Sequence, residues 1–387
     1  MCLADKDRYN KPAPCSLPSV IFALIMANPF KKHPVNARLA TIAVLAIMIF
    51  LITLLEDHPS AVERYYSRGA YPVICHIFHP VFNLFPFSIG DVIYIAAVIY
   101  LGYAFVKLVR MLLKRSWKRA AIYVFGITIG IQSAIVAFYL LWGMNYYRPS
   151  AGERLGLQDS TYTLADLKAV TAMLIDSANA CRERVSHADL VRTNASIYQT
   201  AIRAVKQLDD GSPNFRVYDP EIKSSLISPL LNYLGTSGYY NPFTSESQMN
   251  YEMPSFVRPF VACHELSHQM GYGPEDEANF IGFIAATRSG DNFFRYSAYY
   301  LGVQEFMYTL RSQDSLARKE LRKRISPVVL NDFKTERDYW MLYEGKLETV
   351  SSFFYDNFLK ANNQPQGLKT YNRMVLLVLA YRKKHQL

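Results

Sequence analysis

The sequence is short of charge. Asp, Glu, Lys and Arg make up 19% of its 387 residues while AVILMFWYC residues reach 51%, against about 25% charged residues in an ordinary soluble chain. That deficit argues against a fully soluble enzyme and against a disordered chain. Cysteine is scarce as well. Cys2, Cys15, Cys75, Cys181 and Cys263 are odd in number and widely spaced, which excludes a disulfide framework and a CxxC metal knuckle and leaves buried free thiols. Neither an internal repeat nor a low-complexity segment is present. The net charge of +10 is uneven: residues 1–147 hold 14 Lys and Arg against 6 Asp and Glu, and the remainder is nearly balanced. The basic excess flanks apolar runs instead of sitting on a domain with a reading motif, so it speaks for membrane topology and against nucleic acid as a partner.

Three apolar runs are long enough to cross a hydrocarbon layer as helices, at 37–55, 89–109 and 120–143. The third carries no charge, the first only Arg38 beside its start, and the second only Asp91 and Lys107. An earlier apolar stretch, 17–27, is too short to span and would suit a signal-peptide core. Met26 beside it opens a shorter start, so the tail 1–36 is expected to include a dispensable or untranslated segment 1–25. Lys31 and Lys32 precede the first run and Arg38 stands at its start, and Arg110, Lys114, Arg115, Lys118 and Arg119 lie between the second and the third. Positive-inside logic then places the amino terminus in the cytoplasm, 37–147 in the inner membrane of a bacterium, and everything from 148 to 387 on the periplasmic side, with membrane lipid as a partner.

The outer part reads as mostly helical. Leu164, Leu167, Val170, Leu174 and Ile175 repeat at helical spacing behind a Thr163–Asp166 cap. A second amphipathic helix is expected over 189–208, ended by the Asp209 to Pro213 turn. Residues 214–254 read as loop and short strand, and 243–251 as an edge strand able to pair with an extended peptide. Helical patterning returns from 256 and ends in 374–381, too short to span.

The chemistry is concentrated in His264-Glu265-Leu266-Ser267-His268. On a helix, residues four apart share a face, so both imidazoles can address one metal ion while Glu265 reaches a water bound to it. Chance alone would produce this string in a chain of this composition only ~0.006 times. Pro259 suits the first turn of that helix and Gly271 its end. A catalytic zinc site needs a third protein ligand and an open position. Histidine cannot supply it at metzincin spacing, because the sixth residue after His268 is Pro274. An acidic cluster follows instead, with Glu275 and Glu277 both in reach. Glu275 and Asn279 share a face of the helix that begins near Pro274, whereas Glu277 points ~200° away; an Asn on the ligand face can orient a metal-bound His.

At these residues the sequence resembles known families. Glu275-x-x-Ala278-Asn279 is similar to the third-ligand helix of gluzincin metallopeptidases, which implies Glu275 as ligand and Asn279 as the support of a ligand histidine. The chain from 37 to 381 resembles the membrane-anchored HExxH proteins grouped as domain of unknown function 3810. The resemblance rests on Phe85 to Asp91, Trp142 to Arg148, Gly238 to Thr244, Cys263 to Gln269 with Glu277 to Phe280, Arg295 to Ser297, and Tyr371. It implies a zincin-like, mainly α-helical extracytoplasmic domain behind three transmembrane helices, and a zinc-dependent peptidase.

The expected function is therefore hydrolysis of peptide bonds in envelope proteins or peptides by a zinc-activated water, with Glu265 as general base. Tyr239, Tyr240, Arg295 and Tyr296 are the candidates for stabilising the oxyanion, since His385 is the one histidine downstream of His268. The alternative is a non-catalytic scaffold with a structural or vestigial zinc site; retention of Glu265 argues against it. An intramembrane protease is disfavoured, because Arg258, Pro259, Glu265 and two histidines crowd 254–273.

Overall fold

A computed structural model describes residues 35–157, 161–209, 212–367 and 373–385; the segment 1–25 and Tyr371 lie outside them. Among the described residues, three helices are long and apolar enough to cross a membrane: α1 (Val35–Glu56) and, later in the chain, Ile89–Leu113 and Trp117–Leu141. Their mean hydropathies are 2.6, 2.1 and 2.0, and almost none of their surface is buried inside the protein. Side chains such as Val44, Phe50, Val98, Phe105 and Ile131 are exposed instead, which suits a hydrocarbon surrounding and not water.

The loop after α1 is more structured than its sequence suggests. A π-helical stretch, Val62–Ala70, runs into α2 (Tyr71–Phe82). Buried Glu63 is its anchor, held by Arg148 (Nε to Oε2, 2.6 Å) and by Arg68 (2.6 Å). The second apolar helix, α3 (Ile89–Leu113), is capped by Ser88, whose side chain accepts from the Asp91 amide, and α4 (Trp117–Leu141) packs against α1 and α3. A short 3-10 turn, Gly143–Tyr147, is buried throughout. This turn joins the end of α4 to the helices that follow.

Beyond it come α5 (Leu164–Arg184), whose capping box pairs Thr163 with Asp166, and α6 (Asn194–Lys206). The amphipathic stretch over 189–208 is divided, because a short helical turn, His187–Leu190, ends at Val191 and Thr193 then caps α6 as a new start. Then follow β1 (Ile222–Ser224), α7 (Ser228–Tyr233), β2 (Gly238–Asn241) and β3 (Glu246–Met249). Among the described residues they form a three-stranded sheet in the order β1-β3-β2, parallel then antiparallel. This corrects the sequence expectation at 243–251: β3 is paired on both sides and cannot accept an extended peptide along an edge. The remaining elements are helices: α8 (Arg258–Gln269), α9 (Glu275–Arg288), α10 (Asn292–Gln313), α11 (Ser315–Arg322), α12 (Pro327–Met341), α13 (Lys346–Ala361) and α14 (Met374–His385). The core lies where α8 meets α6, α9, α10 and the sheet, and it includes Leu266, Tyr272, Phe280, Ile281 and Phe294. Cys181 and Cys263 are free thiols in that core.

Candidate metal centre

α8 is buried from Pro259 to Gln269, so its polar residues must find partners inside the protein. It stops at Gly271, whose φ of +80° suits glycine; a Cβ there would also meet Arg148 Nη1 at 2.9 Å. The i, i+4 spacing brings the His264 and His268 rings to 4.9 Å, edge to face. α9 begins at Glu275 and crosses α8 closely, because Gly282 sits against the backbone of His264. A Cβ on Gly282 would lie 2.9 Å from the His264 nitrogen and 3.0 Å from its Cα. Two turns upstream on the same face, Glu275 is thereby delivered to both imidazoles.

His264 Nε2 lies 3.3 Å from Glu275 Oε2, and His268 Nε2 lies 3.8 Å from Glu275 Oε1. The three candidate ligand atoms are all within 4.8 Å of one another. Two donors each 2.0–2.1 Å from a tetrahedral ion are separated by roughly 3.3 Å; the His264–Glu275 pair has this spacing and the others are wider, so the donor types suit zinc and the ligands would draw together around it. His268 Nδ1 faces the Tyr272 carbonyl at 2.7 Å, a contact that, with Nδ1 protonated, leaves Nε2 as the free acceptor. Burial opposes a charge on His264, but Glu275 first, then Glu265 and last Asn279 favour its protonated form; Asn279 makes no aligned hydrogen bond to it, and His264 Nδ1 has no partner among the described residues.

The electrostatics follow from burial and mutual contact. Burial lowers His268 to about 4. Burial alone would raise Glu275, but the hydrogen bond to His264 and the two imidazoles bring it down to about 2. A neutral imidazole beside an ionised carboxylate is the state in which such groups bind metal. Glu265 is pushed up to about 8, chiefly by burial, with His264 opposing. Its Oε2 has no hydrogen-bond partner among the described residues. Its other oxygen rests on β2, where a Cβ at Gly238 would meet Oε1 at 2.6 Å and the Gln248 carbonyl at 2.8 Å. Only glycine leaves room for that carboxylate.

The other sequence candidates are placed elsewhere. Glu277 is buried and faces away: it accepts from the Ala151 amide at 2.6 Å and from Arg154 at 3.1 Å. Tyr296 donates to Asp332 at 2.5 Å, and Arg295 has no described contact with the cluster. Tyr239 donates to Asp91. Tyr240 is one layer behind: its hydroxyl is 3.4 Å from that of Tyr71, and its ring rests on Trp142, which meets the His268 ring edge to face at 5.8 Å.

Four contributors escaped the sequence reading. Tyr355 on α13 donates to Glu275 Oε1 at 2.6 Å, and Gln364 accepts from the Glu275 amide at 3.3 Å. Trp142, the first residue after α4, donates to the His268 carbonyl at 3.0 Å. Tyr71 donates to the Gln269 carbonyl at 2.9 Å. No motif spacing links residues so far apart, although Trp142 and Tyr355 are aromatics with a polar tip, the type that finds a hydrogen-bond partner when buried.

Neither the curated proteins nor the solved structures contain a match to this chain. The family model described as Protein of unknown function (DUF3810) matches residues 66–379, a span that takes in α3, α4, the His264-to-His268 helix, Glu275 and Tyr355. With most of its length inside that match, the chain belongs to the DUF3810 family.

Proposed function

We propose that the protein is a membrane-anchored, zinc-dependent metallopeptidase that hydrolyses peptide bonds of envelope proteins or peptides at the periplasmic face of a bacterial inner membrane. The observation that carries this reading is the convergence of His264, His268 and Glu275 beside a buried carboxylate, Glu265, with an unpartnered oxygen. His264, His268 and Glu275 would hold the ion, which supplies Lewis acidity toward a carbonyl and an acidified water when bound. Glu265 is the proton carrier: Oε2 accepts a proton and returns it to the leaving amine, a task suited to a carboxyl held up to about 8. Tyr355 and Gln364 fix Glu275 from its side chain and its amide. Asn279 biases His264, and the Tyr272 carbonyl orients His268.

Glu265→Gln in the full-length chain is the test. It preserves shape and the ligand set, so zinc content should stay at the wild-type level. Cleavage of an unstructured protein substrate should fall by at least ~100-fold, the contribution of a general base. Unchanged cleavage would end the mechanism.

One observation favours a second reading, a non-catalytic scaffold with a structural site. The cluster is closed over, with His264 only 9% exposed and Glu275 4%. Neither of two surface pockets, of about 590 and 610 Å³, is lined by a cluster residue. The peptidase reading is preferred because a structural site has no use for Glu265 and is usually built from cysteine.

A further inference from the structure

α13 carries more apolar surface than a water-facing helix needs. At ~100° per residue, Leu347, Val350, Phe354 and Phe358 fall within an arc of ~80°, with Phe353 on its flank. Phe353 and Phe354 are 65% and 67% exposed, and Met341 and Leu342 just upstream are also bare. Tyr355 and Leu359 point ~100–140° away from that stripe, into the protein, where Leu359 is fully buried and Tyr355 meets Glu275. The stripe runs directly onto the apolar span α4. Phe358 packs edge to face on Phe138, in the last turn of α4, at 5.8 Å, and on Tyr146 at 6.1 Å. Tyr147 donates to the Ala361 carbonyl at 3.3 Å, and Asn363 donates to the Tyr146 carbonyl at 3.1 Å, so the end of α13 is tied to the exit of the span. Lys346 and Lys360 stand at the two ends of the helix.

We propose that α13 lies flat in the lipid–water interface of the membrane crossed by α1, α3 and α4, with Leu347, Val350 and Phe354 in the acyl boundary. The continuity with α4 selects lipid as the occupant: Phe138 belongs to a helix whose surface is hydrocarbon-facing, and Phe358 extends that surface without a break. An interfacial helix is recognised by such a stripe of large apolar side chains with basic residues at its margins. Because Tyr355 leaves the opposite flank, the bilayer surface is brought within about one helix diameter, ~10 Å, of Glu275. The proposal rests on the reading of the three apolar helices as spans, and it holds or fails regardless of whether the cluster binds metal.

The test replaces Phe354, and separately exposed Thr349 on the other side of α13, with photoreactive benzoylphenylalanine in the full-length chain in its own membrane. Irradiation should attach phospholipid at 354 and none at 349, read as the adduct mass on the α13 peptide. A protein adduct at 354 would mean that a partner or a second copy covers the face, and would overturn the proposal, as would no adduct at either position. Phe354→Trp and Thr349→Trp give a second measurement. Relative to the unsubstituted chain reconstituted in lipid brominated along its acyl chains, the first should lose a large part of its added fluorescence and the second none. Equal quenching would refute lipid burial of the stripe.

Discussion

Gly238 shows how a residue with no side chain can set the chemistry of one that has a charge. The Glu265 carboxylate occupies the space a Cβ would fill on β2, and this close approach keeps Oε1 on the sheet and leaves Oε2 without a partner. Gly238→Ala cannot be accommodated by side-chain motion alone, because the Gln248 backbone carbonyl lies on the same path, 2.8 Å from the added carbon. The expected outcome is a drop in cleavage of at least ~10-fold with zinc content preserved, since the ligands ride on α8 and α9. Metal analysis and cleavage on one preparation check it; unimpaired cleavage would show that the carboxylate position is not critical. Glu277 makes the complementary point. Its removal leaves Arg154, buried against the Tyr272 ring at 4.5 Å, without its carboxylate, so the loss falls on stability and not on the ligand set.

At the scale of elements, the site is a crossing of two helices, and Gly282 sets their separation. In Gly282→Ala the new methyl carbon would sit within 2.9–3.0 Å of the His264 backbone, and backbone atoms yield only if α9 slides on α8. Overpacking of this kind costs ~1–3 kcal/mol, and the shift should withdraw Glu275 from the imidazoles. A lowered thermal midpoint together with weakened zinc retention is the expected pair, while wild-type zinc affinity would disprove the coupling. The sequence displayed the α8 half of this arrangement plainly: four-residue spacing is a local property, and so is the shared face of Glu275 and Asn279. The Gly282 contact, the Gly238 cradle and the Tyr355 hydroxyl are products of tertiary packing across tens of residues, which periodicity does not encode. The same limit explains β3. Alternation marked 243–251 as strand, but whether a strand is an edge depends on β1, which pairs with it from more than twenty residues upstream.

For the whole molecule, the notable feature is that the cluster is seated on the ends of the apolar helices. Trp142 after α4 holds the His268 carbonyl. Asp91 at the start of α3 accepts from the Leu226 amide at 2.7 Å. Lys223 bonds Glu246 at 2.7 Å and the Phe82 carbonyl at 2.7 Å. Arg148 joins Glu63 to the Gly271 carbonyl; burial opposes ionisation of Glu63, but Arg148 holds its carboxyl down at about 2. The end of α4, the start of α3 and the part of the chain after residue 148 thus pack together. Reporter fusions at residues 115 and 160 should give opposite sides, cytoplasm and periplasm; cytoplasmic signals from both would refute three crossings. Because the site borrows Trp142, Tyr71 and the turn 143–147, its chemistry is best read on the full-length chain. The decisive measurement is the zinc content of that chain, purified in lipid discs, beside Glu275→Ala and Glu277→Ala. About one zinc per chain in the wild type, retained in Glu277→Ala and lost in Glu275→Ala, is expected from the His264–His268–Glu275 cluster. A metal-free wild type, or zinc kept in Glu275→Ala and lost in Glu277→Ala, would contradict it.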